Sequence, residues 1–275
     1  PLCLAWQPPE FDVIIAGGRV VDGSGAPWRY ADVGITGDRI AAIGRLAGRK
    51  AALTVDARGR VVAPGFIDIH THARRGIFLD PTAQNYIRQG VTTLLEGNDG
   101  SSPIPIAPFL AKLAAAPMSV NFGTFAGQGS IRQEVMGLVN RPATPEEMAR
   151  MRSIMEQAMR DGAFGLSSGL FYVPGNFTPT PEVVEIARIA GSFGGIYISH
   201  MRDEAASVED AVRETIRIGE EGGLPTQVTH HKIIGKANWG KSRETIALVE
   251  AARARGVDAT IDAHPYTASS TGTAA

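Results

Sequence analysis

The sequence contains one cysteine, Cys3, among its 275 residues. A single cysteine excludes an internal disulfide framework and favours a reducing compartment, so we expect a cytoplasmic location. No apolar run approaches the ~18 residues that a membrane-spanning helix needs. The formal net charge is -1 and no basic block stands out, which argues against binding to nucleic acid. We therefore expect neither a membrane nor a nucleic acid as a partner.

Two regions of the chain differ in their pattern. Residues 11–63 hold short β-rich runs broken by glycine and aspartate, which predict hairpins in a small sheet domain. From Pro64 onward, apolar runs are each followed by an amphipathic helix, as in a parallel sheet covered on both faces. The predicted strands lie at 65–71, 91–96, 119–125, 163–168, 195–200, 225–230 and 257–263. Seven such strands fit an α/β fold, a TIM-like (β/α)8 barrel that stops one strand short.

The helices between these strands carry start signals. The segment Thr144-Pro145-Glu146-Glu147 is a capping box with proline at the first helical position. Methionines then recur at helical spacing, and we interpret them as a core-facing side rather than a binding surface. They are Met148, Met151, Met155 and Met159. Further helices are predicted to start at Thr180, Ser207 and Ser242.

Four of the six histidines stand at the ends of predicted strands. They are His70 and His72 in PGFIDIHTH, His200 in GIYISHMRDE and His230 in PTQVTHHK. Strand side chains alternate, so His70 and His72 are expected to face one side. The active site of a (β/α)8 barrel lies at the carboxyl ends of its strands, and neutral imidazole is a common ligand of zinc-like metals. The pattern predicts a metal-dependent hydrolase site.

Several separate motifs occur in order and at consistent spacing. They are PGFIDIHTH, GVTTLLEGNDG, FGLSSGLFYVP, SHMRDE, THHKIIGKANWGKSRETIALVEA and DAHPYTASST. Together they resemble the amidohydrolase superfamily and, within it, the D-aminoacylases (N-acyl-D-amino-acid deacylases). The resemblance runs from about Phe11 to the last residues. It implies a small N-terminal β-sandwich domain over residues 1–63 and a metal-dependent hydrolase barrel over residues 64–275.

The resemblance also implies the metal ligands. His70 and His72 would bind the more exposed metal position and His200 and His230 the buried one, with one or two divalent ions, expected to be zinc. His231 is adjacent to His230 and is therefore expected to face away from the metal.

One expected ligand differs from the family pattern. D-aminoacylases place a cysteine ligand in the loop that matches GNDG, where this chain has Asp99. A carboxylate can bridge two divalent ions as a thiolate does, so Asp99 is the expected ligand. Glu96, three residues earlier at the strand end, is the alternative. A third interpretation makes Asp99 a loop residue that forms an Asx turn beside Gly100.

The resemblance assigns three residues to substrate binding. Tyr172 in GLFYVP and Lys232 in THHK match family positions that hold the substrate carboxylate, which a phenol and an ammonium group can bind. His264 stands where the family has a tyrosine, with Tyr266 two residues on. When protonated, His264 could still donate to a carboxylate.

The acidic residues near the histidines have different expected roles. In the superfamily the acid–base aspartate ends the eighth strand, which would lie beyond Ala275. Asp258 and Asp262 belong to the seventh strand and do not replace it by position. Asp203 and Glu204, just after His200, are expected to be loop or capping residues.

The implied reaction is metal-dependent hydrolysis of a small-molecule substrate, an N-acyl-D-amino acid, to a carboxylate and a free D-amino acid. The alternatives are another amidohydrolase reaction, such as cyclic amide hydrolysis or deamination, and a non-catalytic truncated remnant. The opening PLCLAWQPPE has no initiator methionine and no signal-peptide pattern. Because seven strands leave two open sheet edges, we expect a piece of a longer gene product, which alone binds metal weakly and aggregates. Neither the preferred amino acid nor the oligomeric state follows from the sequence.

Overall fold

The structure is a computed structural model that describes residues 9–272. Cys3 lies outside these described residues. The chain divides into two compact units, Pro1–Phe66 and Ile67–Ala275.

The first unit is built around one five-stranded sheet. Its strands are β1 Phe11–Val20, β2 Arg29–Thr36, β3 Arg39–Gly44, β4 Ala51–Asp56 and β5 Val61–Val62. The order is β3-β2-β1-β4, and β5 also pairs with β1. Phe11, Ile14 and Leu46 form its buried apolar cluster. The described residues of this unit form a single sheet, and the β-sandwich expected from the resemblance stays a prediction.

The second unit carries the predicted strands. They are β6 Phe66–Asp68, β7 Val91–Glu96, β8 Asn121–Thr124, β9 Ala126–Gly127, β10 Gly165–Gly169, β11 Ile196–His200, β12 Thr226–His231 and β13 Ala259–Ala263. Strands β6 to β8 form one sheet and β9 to β13 another, each in sequence order. The pairs β7–β8 and β9 through β13 are parallel.

The two sheets are parts of one incomplete barrel. Only Phe125 separates β8 from β9, and its N–H donates to the Glu96 carbonyl of β7 at 2.8 Å. The two segments therefore act as one strand, and the seven strands predicted from the sequence are confirmed. Among the described residues β13 does not pair with β6, so the barrel stays open at this edge.

The helices alternate with these strands. They are α1 Gln84–Ile87, α2 Ala107–Ala114, α3 Gln128–Met136, α4 Pro145–Asp161, α5 Thr180–Ser192, α6 Val208–Gly222 and α7 Ser242–Ala254. Short 3-10 turns lie at Gly76–Phe78, Gly175–Phe177 and Lys236–Asn238. Within the described range, none of the helices has both the length and the apolar character to cross a membrane.

Helix α4 confirms both predictions made for it. The Thr144 hydroxyl accepts the Glu147 N–H at 3.2 Å, and the Glu147 carboxylate accepts the Thr144 N–H at 2.8 Å. The four methionines of this helix are all buried in the main apolar cluster, together with residues of β10 and α5. The helix therefore covers the outside of the sheet and leaves the strand ends free for chemistry.

Candidate metal centre

Three imidazoles from the ends of separate strands surround one carboxylate oxygen. Asp99, in the loop after β7, places Oδ1 3.5 Å from His70 Nε2, 3.7 Å from His200 Nδ1 and 3.6 Å from His230 Nε2. His200 ends β11 and His230 lies in β12, whereas His70 follows β6. Because parallel strands end at the same edge, residues far apart in sequence meet here.

His72 approaches the same carboxylate from the other side. Its Nε2 lies 3.2 Å from Asp99 Oδ2, and its side chain is 65% exposed, against 14% for His70. The strand β6 ends at Asp68, whose carboxylate caps the His70 N–H at 3.0 Å, so neither histidine lies in regular strand structure. Both still reach Asp99. His70 contacts the same Asp99 oxygen, Oδ1, as His200 and His230 do.

The donor set fits a divalent metal ion. Asp99 Oδ1 and His70 Nδ1 are buried and have no hydrogen-bond partner among the described residues. Four tetrahedral ligands about 2.0–2.1 Å from a zinc ion would be separated by about 3.3 Å. The Asp99 distances of 3.5–3.7 Å and the 2.7 Å between His200 Nδ1 and His230 Nε2 bracket that spacing. In the absence of a metal, the two imidazoles 2.7 Å apart share a proton, and a metal ion would take the place of that proton.

The loop that carries Asp99 is held tightly. Asp99 has a positive φ of 54°, and Gly100 follows with 74°. A Cβ on Gly100 would lie 2.7 Å from the Gly169 nitrogen, so a larger residue cannot replace this glycine without moving the loop. The Ser101 N–H, which an Asx turn at Asp99 would use, donates instead to the Asn98 carbonyl at 3.1 Å. The carboxylate is therefore free to face the histidines.

Glu96, the alternative ligand, has another partner. It is buried at the end of β7, where its carboxylate accepts the Arg74 N–H at 3.2 Å and lies 3.6 Å from Arg74 Nε. The groups of side chains found close enough to share an ion include Asp99 but not Glu96 among the described residues. The geometry favours Asp99.

Crowding sets the charges of the cluster. Burial would raise the pKa of Asp99, but the neighbouring imidazoles hold that pKa well below its usual value. Burial would lower the pKa of His70, yet the Asp262 and Asp99 carboxylates raise it to about 9. Burial lowers the pKa of His200 to about 4. An ionised Asp99 and a neutral His200 are the states that metal ligation requires, whereas His70, with its raised pKa, must release a proton when a metal binds.

Two acidic residues, Glu204 and Asp262, contact the histidine cluster in ways that the sequence did not predict. Asp203 caps the Ala205 N–H at 2.6 Å, which confirms its expected role. Glu204 lies in the loop after β11, as expected, but its carboxylate is also buried and lies 2.6 Å from Lys232 Nζ and 3.1 Å from His230 Nδ1. The reason is tertiary, because the loop after β11 folds against the end of β12.

Asp262 is the second acid that sequence reasoning missed. It lies in β13 with Oδ2 3.9 Å from His70 Nδ1, and its carboxylate accepts the backbone N–H of His230. A signal for it exists in the sequence. Thr260 and Asp262 alternate with Ala259 and Ile261, and these two apolar residues pack in a helix-facing cluster, so the polar ones face the barrel interior.

The predicted substrate residues have different surroundings. Tyr172 lines a cavity of about 430 Å³ beside Asp99, and its hydroxyl lies 3.0 Å from Thr271 Oγ1. Lys232 lies behind His230, bonded to Glu204. The His264 ring packs edge-on against Tyr266, with 5.6 Å between ring centroids. His231 lies outside the cluster, as predicted, with Nε2 2.8 Å from Thr245 Oγ1 of α7.

The cavity has the size of a small-molecule site and a mixed charge. Besides Tyr172, it is lined by His72, Glu96 and Asp99, and Arg74 is the one lysine or arginine among its described lining residues. A volume of a few hundred Å³ is typical of pockets that bind metabolites. A substrate in this cavity would lie directly against the carboxylate that the histidines surround.

Comparison with known proteins identifies the family of the chain. A sequence profile described as the amidohydrolase family matches residues 53–274. The chain belongs to the amidohydrolase family. A D-aminoacylase from Alcaligenes xylosoxydans xylosoxydans is 43% identical over 95% of this chain and 58% of its own length. The chain thus spans a little over half the length of this curated relative.

Solved structures extend the similarity to three dimensions. The crystal structure of a D-aminoacylase, 40% identical, superposes with a TM-score of 0.87 over 93% of this chain and 59% of that one. An N-acyl-D-glutamate deacylase from Bordetella bronchiseptica, complexed with zinc and a phosphonate inhibitor, is 36% identical, with a TM-score of 0.89 and the same coverage. The expected α/β fold, an incomplete TIM-like barrel, is confirmed.

Proposed function

We propose that the full-length protein hydrolyses N-acyl-D-amino acids to a carboxylate and a free D-amino acid, with one or two zinc ions. The observation that carries this proposal is that Asp99 Oδ1 lies among three imidazole nitrogens. Asp99 also lines a cavity of small-molecule size. The likeness to a D-aminoacylase and to a zinc-complexed N-acyl-D-glutamate deacylase supports it.

The metal would be held by the residues of the cluster. We assign His70, His72, His200 and His230 as ligands, with Asp99 between them. A divalent ion in such a site lowers the pKa of a water molecule and polarises an amide carbonyl. Both Asp99 oxygens face imidazoles, Oδ1 three of them and Oδ2 that of His72, which is the arrangement a bridging carboxylate needs.

The substrate carboxylate would be held by Tyr172 and Lys232, and His264 would be a further donor to it. Tyr172 lines the cavity and its ring centroid lies 4.5 Å from that of His200. The ammonium group of Lys232 contacts Glu204 and His230 Nδ1 and does not line the cavity, so its assignment rests on the match to the family motif. The acid–base aspartate is still expected on an eighth strand. We assign Asp262 to holding His70 and His230 in place, because its oxygens are already engaged there.

A substrate screen on the full-length protein tests this proposal. Metal content is measured first, and hydrolysis of N-acyl-D-amino acids is then compared with that of N-acyl-L-amino acids and of cyclic amides. We expect bound zinc and a preference for the D-series. Hydrolysis of cyclic amides alone would favour the alternative amidohydrolase reaction, and metal binding without any hydrolysis would favour the non-catalytic remnant.

Lys232→Ala tests the carboxylate clamp. We expect KM for the N-acyl-D-amino acid to rise about 10- to 150-fold, since a hydrogen bond to a charged group contributes about 1.5–3 kcal/mol. Lys236→Ala, at an exposed position in the turn Lys236–Asn238, is the matched control. An unchanged KM in Lys232→Ala would contradict the assignment.

A cytoplasmic location belongs to the same proposal. It is supported by the single cysteine of the sequence, since proteins of oxidising compartments often use disulfides. Fractionation of cells that express the native gene would test it.

A further inference from the structure

We infer that Glu204 is a positioning residue that selects the metal-binding tautomer of His230 and orients Lys232. This inference rests on the proposed function only for Lys232, since the effect on His230 concerns metal binding. No expectation from the sequence gave Glu204 such a role.

Glu204, His230 and Lys232 form a closed triangle. Glu204 Oε1 lies 2.6 Å from Lys232 Nζ and 3.1 Å from His230 Nδ1, and Lys232 Nζ lies 3.1 Å from the same Nδ1. The side chain of Glu204 is 7% exposed. A buried carboxylate between an imidazole and an ammonium group is a strong acceptor with little competition from water.

Glu204 and Lys232, the two neighbours of His230 Nδ1, favour opposite tautomers of this imidazole. Glu204 can only accept, so it favours a proton on Nδ1 and leaves the Nε2 lone pair for the metal. Lys232 can only donate, so beside a neutral His230 it would favour a bare Nδ1 and a proton on Nε2. The second tautomer cannot ligate through the nitrogen that faces Asp99 at 3.6 Å. Glu204 Oε1 accepts from Lys232 and lies 3.1 Å from Nδ1, where it is placed to accept from His230 as well.

The backbone holds this triangle in place. The Glu204 carbonyl accepts the Ile234 N–H at 2.8 Å, which ties the loop after β11 to the segment after β12. Asp203 accepts the N–H groups of Ala205 and Ser207, which fixes the turn that carries Glu204. His230 has a positive φ of 37°, a conformation that a non-glycine residue keeps only when its surroundings enforce it. Asp262 holds its backbone, and Glu204 holds its ring.

Glu204 could instead be a ligand itself, because it shares a group of potential ligand atoms with His200 and His230. The geometry argues against this. The Glu204 oxygen lies on the Nδ1 side of His230, whereas Asp99 lies on the Nε2 side. The experiment below separates these two roles.

The test compares Glu204→Gln, Glu204→Ala and Glu204→Ala/Lys232→Met in the full-length protein. Zinc affinity is measured by competition with a chelator, and the His230 tautomer by ¹⁵N NMR of the metal-free protein. Glu204→Ala should lose zinc affinity about 10- to 100-fold, the usual effect of removing a carboxylate behind a ligating histidine. Its His230 should move its proton to Nε2.

The other two variants give distinct results. Glu204→Gln keeps an acceptor for Nδ1–H and should retain most of the zinc affinity, while KM rises because Lys232 loses its counter-charge. In the double variant the donor that favours the wrong tautomer is gone, so zinc affinity should recover in part. Asp210→Ala, at an exposed position early in α6, is the control and should match the wild type.

Three results would overturn the inference. They are wild-type zinc affinity in Glu204→Ala, no recovery in the double variant, and a loss in Glu204→Gln as large as in Glu204→Ala, which would make Glu204 a ligand. If Glu204→Ala fails to fold, Glu204→Gln and the tautomer measurement still decide. Zinc affinity requires no substrate, so failure of the proposed hydrolysis would appear separately.

Discussion

Asp99 is the residue on which the chemistry of the site depends. Its oxygens lie within 3.7 Å of a nitrogen from each of the four histidines. A carboxylate is a harder ligand than the thiolate expected from the family pattern, and it tolerates manganese as well as zinc. The metal preference of the site should therefore follow the residue at this position.

Asp99→Cys and Asp99→Ala test this dependence. We expect Asp99→Ala to lose most bound metal and Asp99→Cys to keep zinc while binding manganese less well than the wild type does. Metal content after equilibration with both ions, measured by mass spectrometry, gives the answer. Glu96→Gln should keep its metal, because Glu96 pairs with Arg74. Loss of metal in Glu96→Gln but not in Asp99→Ala would reverse the assignment.

At this scale the sequence predicted ligands better than their supports. The four histidines were identifiable because each follows an apolar strand, and strand ends converge. For Asp262 the sequence offers only the alternation of its strand, and for Glu204 it offers no signal, because both roles depend on which side chains of neighbouring strands meet. His230 Nδ1 and Glu204 are 26 residues apart in sequence, and neither position carries a local signal for their 3.1 Å contact.

Among the elements, helix α4 shows how local sequence controls local stability. Thr144 and Glu147 exchange hydrogen bonds at its start, and Gly162 ends it in the left-handed conformation. The methionine face then packs on the sheet. The capping box and the methionine face were both predicted from the sequence, since capping and periodicity depend only on nearby residues.

Thr144→Ala should destabilise the protein by about 1 kcal/mol, the usual effect of losing a hydroxyl cap. Urea unfolding monitored by circular dichroism measures it. Thr144→Ser keeps the hydroxyl and should lie close to the wild type. Equal losses in both variants would show that the methyl group, and not the cap, is responsible.

Glu147 adds a pH dependence to the same helix end. Hydrogen bonds from Arg141 and from the Thr144 backbone lower its pKa to about 2 from a usual 4.5. A carboxyl whose pKa is lower in the folded state stabilises that state above pH 4.5 and loses the effect as pH falls toward 2. Wild type should therefore exceed Glu147→Gln in stability at pH 6, and the difference should shrink between pH 4.5 and 2. A constant difference would contradict this account.

The strand prediction also succeeded because apolar runs are a local feature of the sequence, with one exception. The third predicted strand, 119–125, is divided at Phe125 into β8 and β9, which pair with different neighbours. The break lies where the pairing passes from β7 to β10. It cannot be read from a single segment, because it depends on how far the sheet must turn to reach the next strand.

For the whole molecule, the open edge between β13 and β6 is the dominant feature. In the described residues these strands do not pair, so each presents unsatisfied backbone groups. His70 follows β6, and Asp262 lies in β13 with its carboxylate beside that histidine. The cluster therefore spans the opening, and its geometry depends on how well the two edges are held together.

Residues 1–275 expressed alone should aggregate and bind zinc more weakly than the full-length protein. Open strand edges promote association between chains, and a loose gap misplaces His70. Size-exclusion chromatography and zinc competition measure both effects. A monodisperse preparation of residues 1–275 with full-length zinc affinity would show that the gap closes without further strands.

A carboxylate at position 99, where the family resemblance implies a thiolate, also bears on how the site responds to oxidants. Within residues 1–275 the one thiol is Cys3, and the donors around Asp99 are carboxylate and imidazole. Peroxide and alkylating reagents act on thiolates through a ladder of oxidised sulfur species that carboxylates do not enter. Where a cysteine-ligated relative would lose its ligand under oxidative stress, this site should keep its full set of donors.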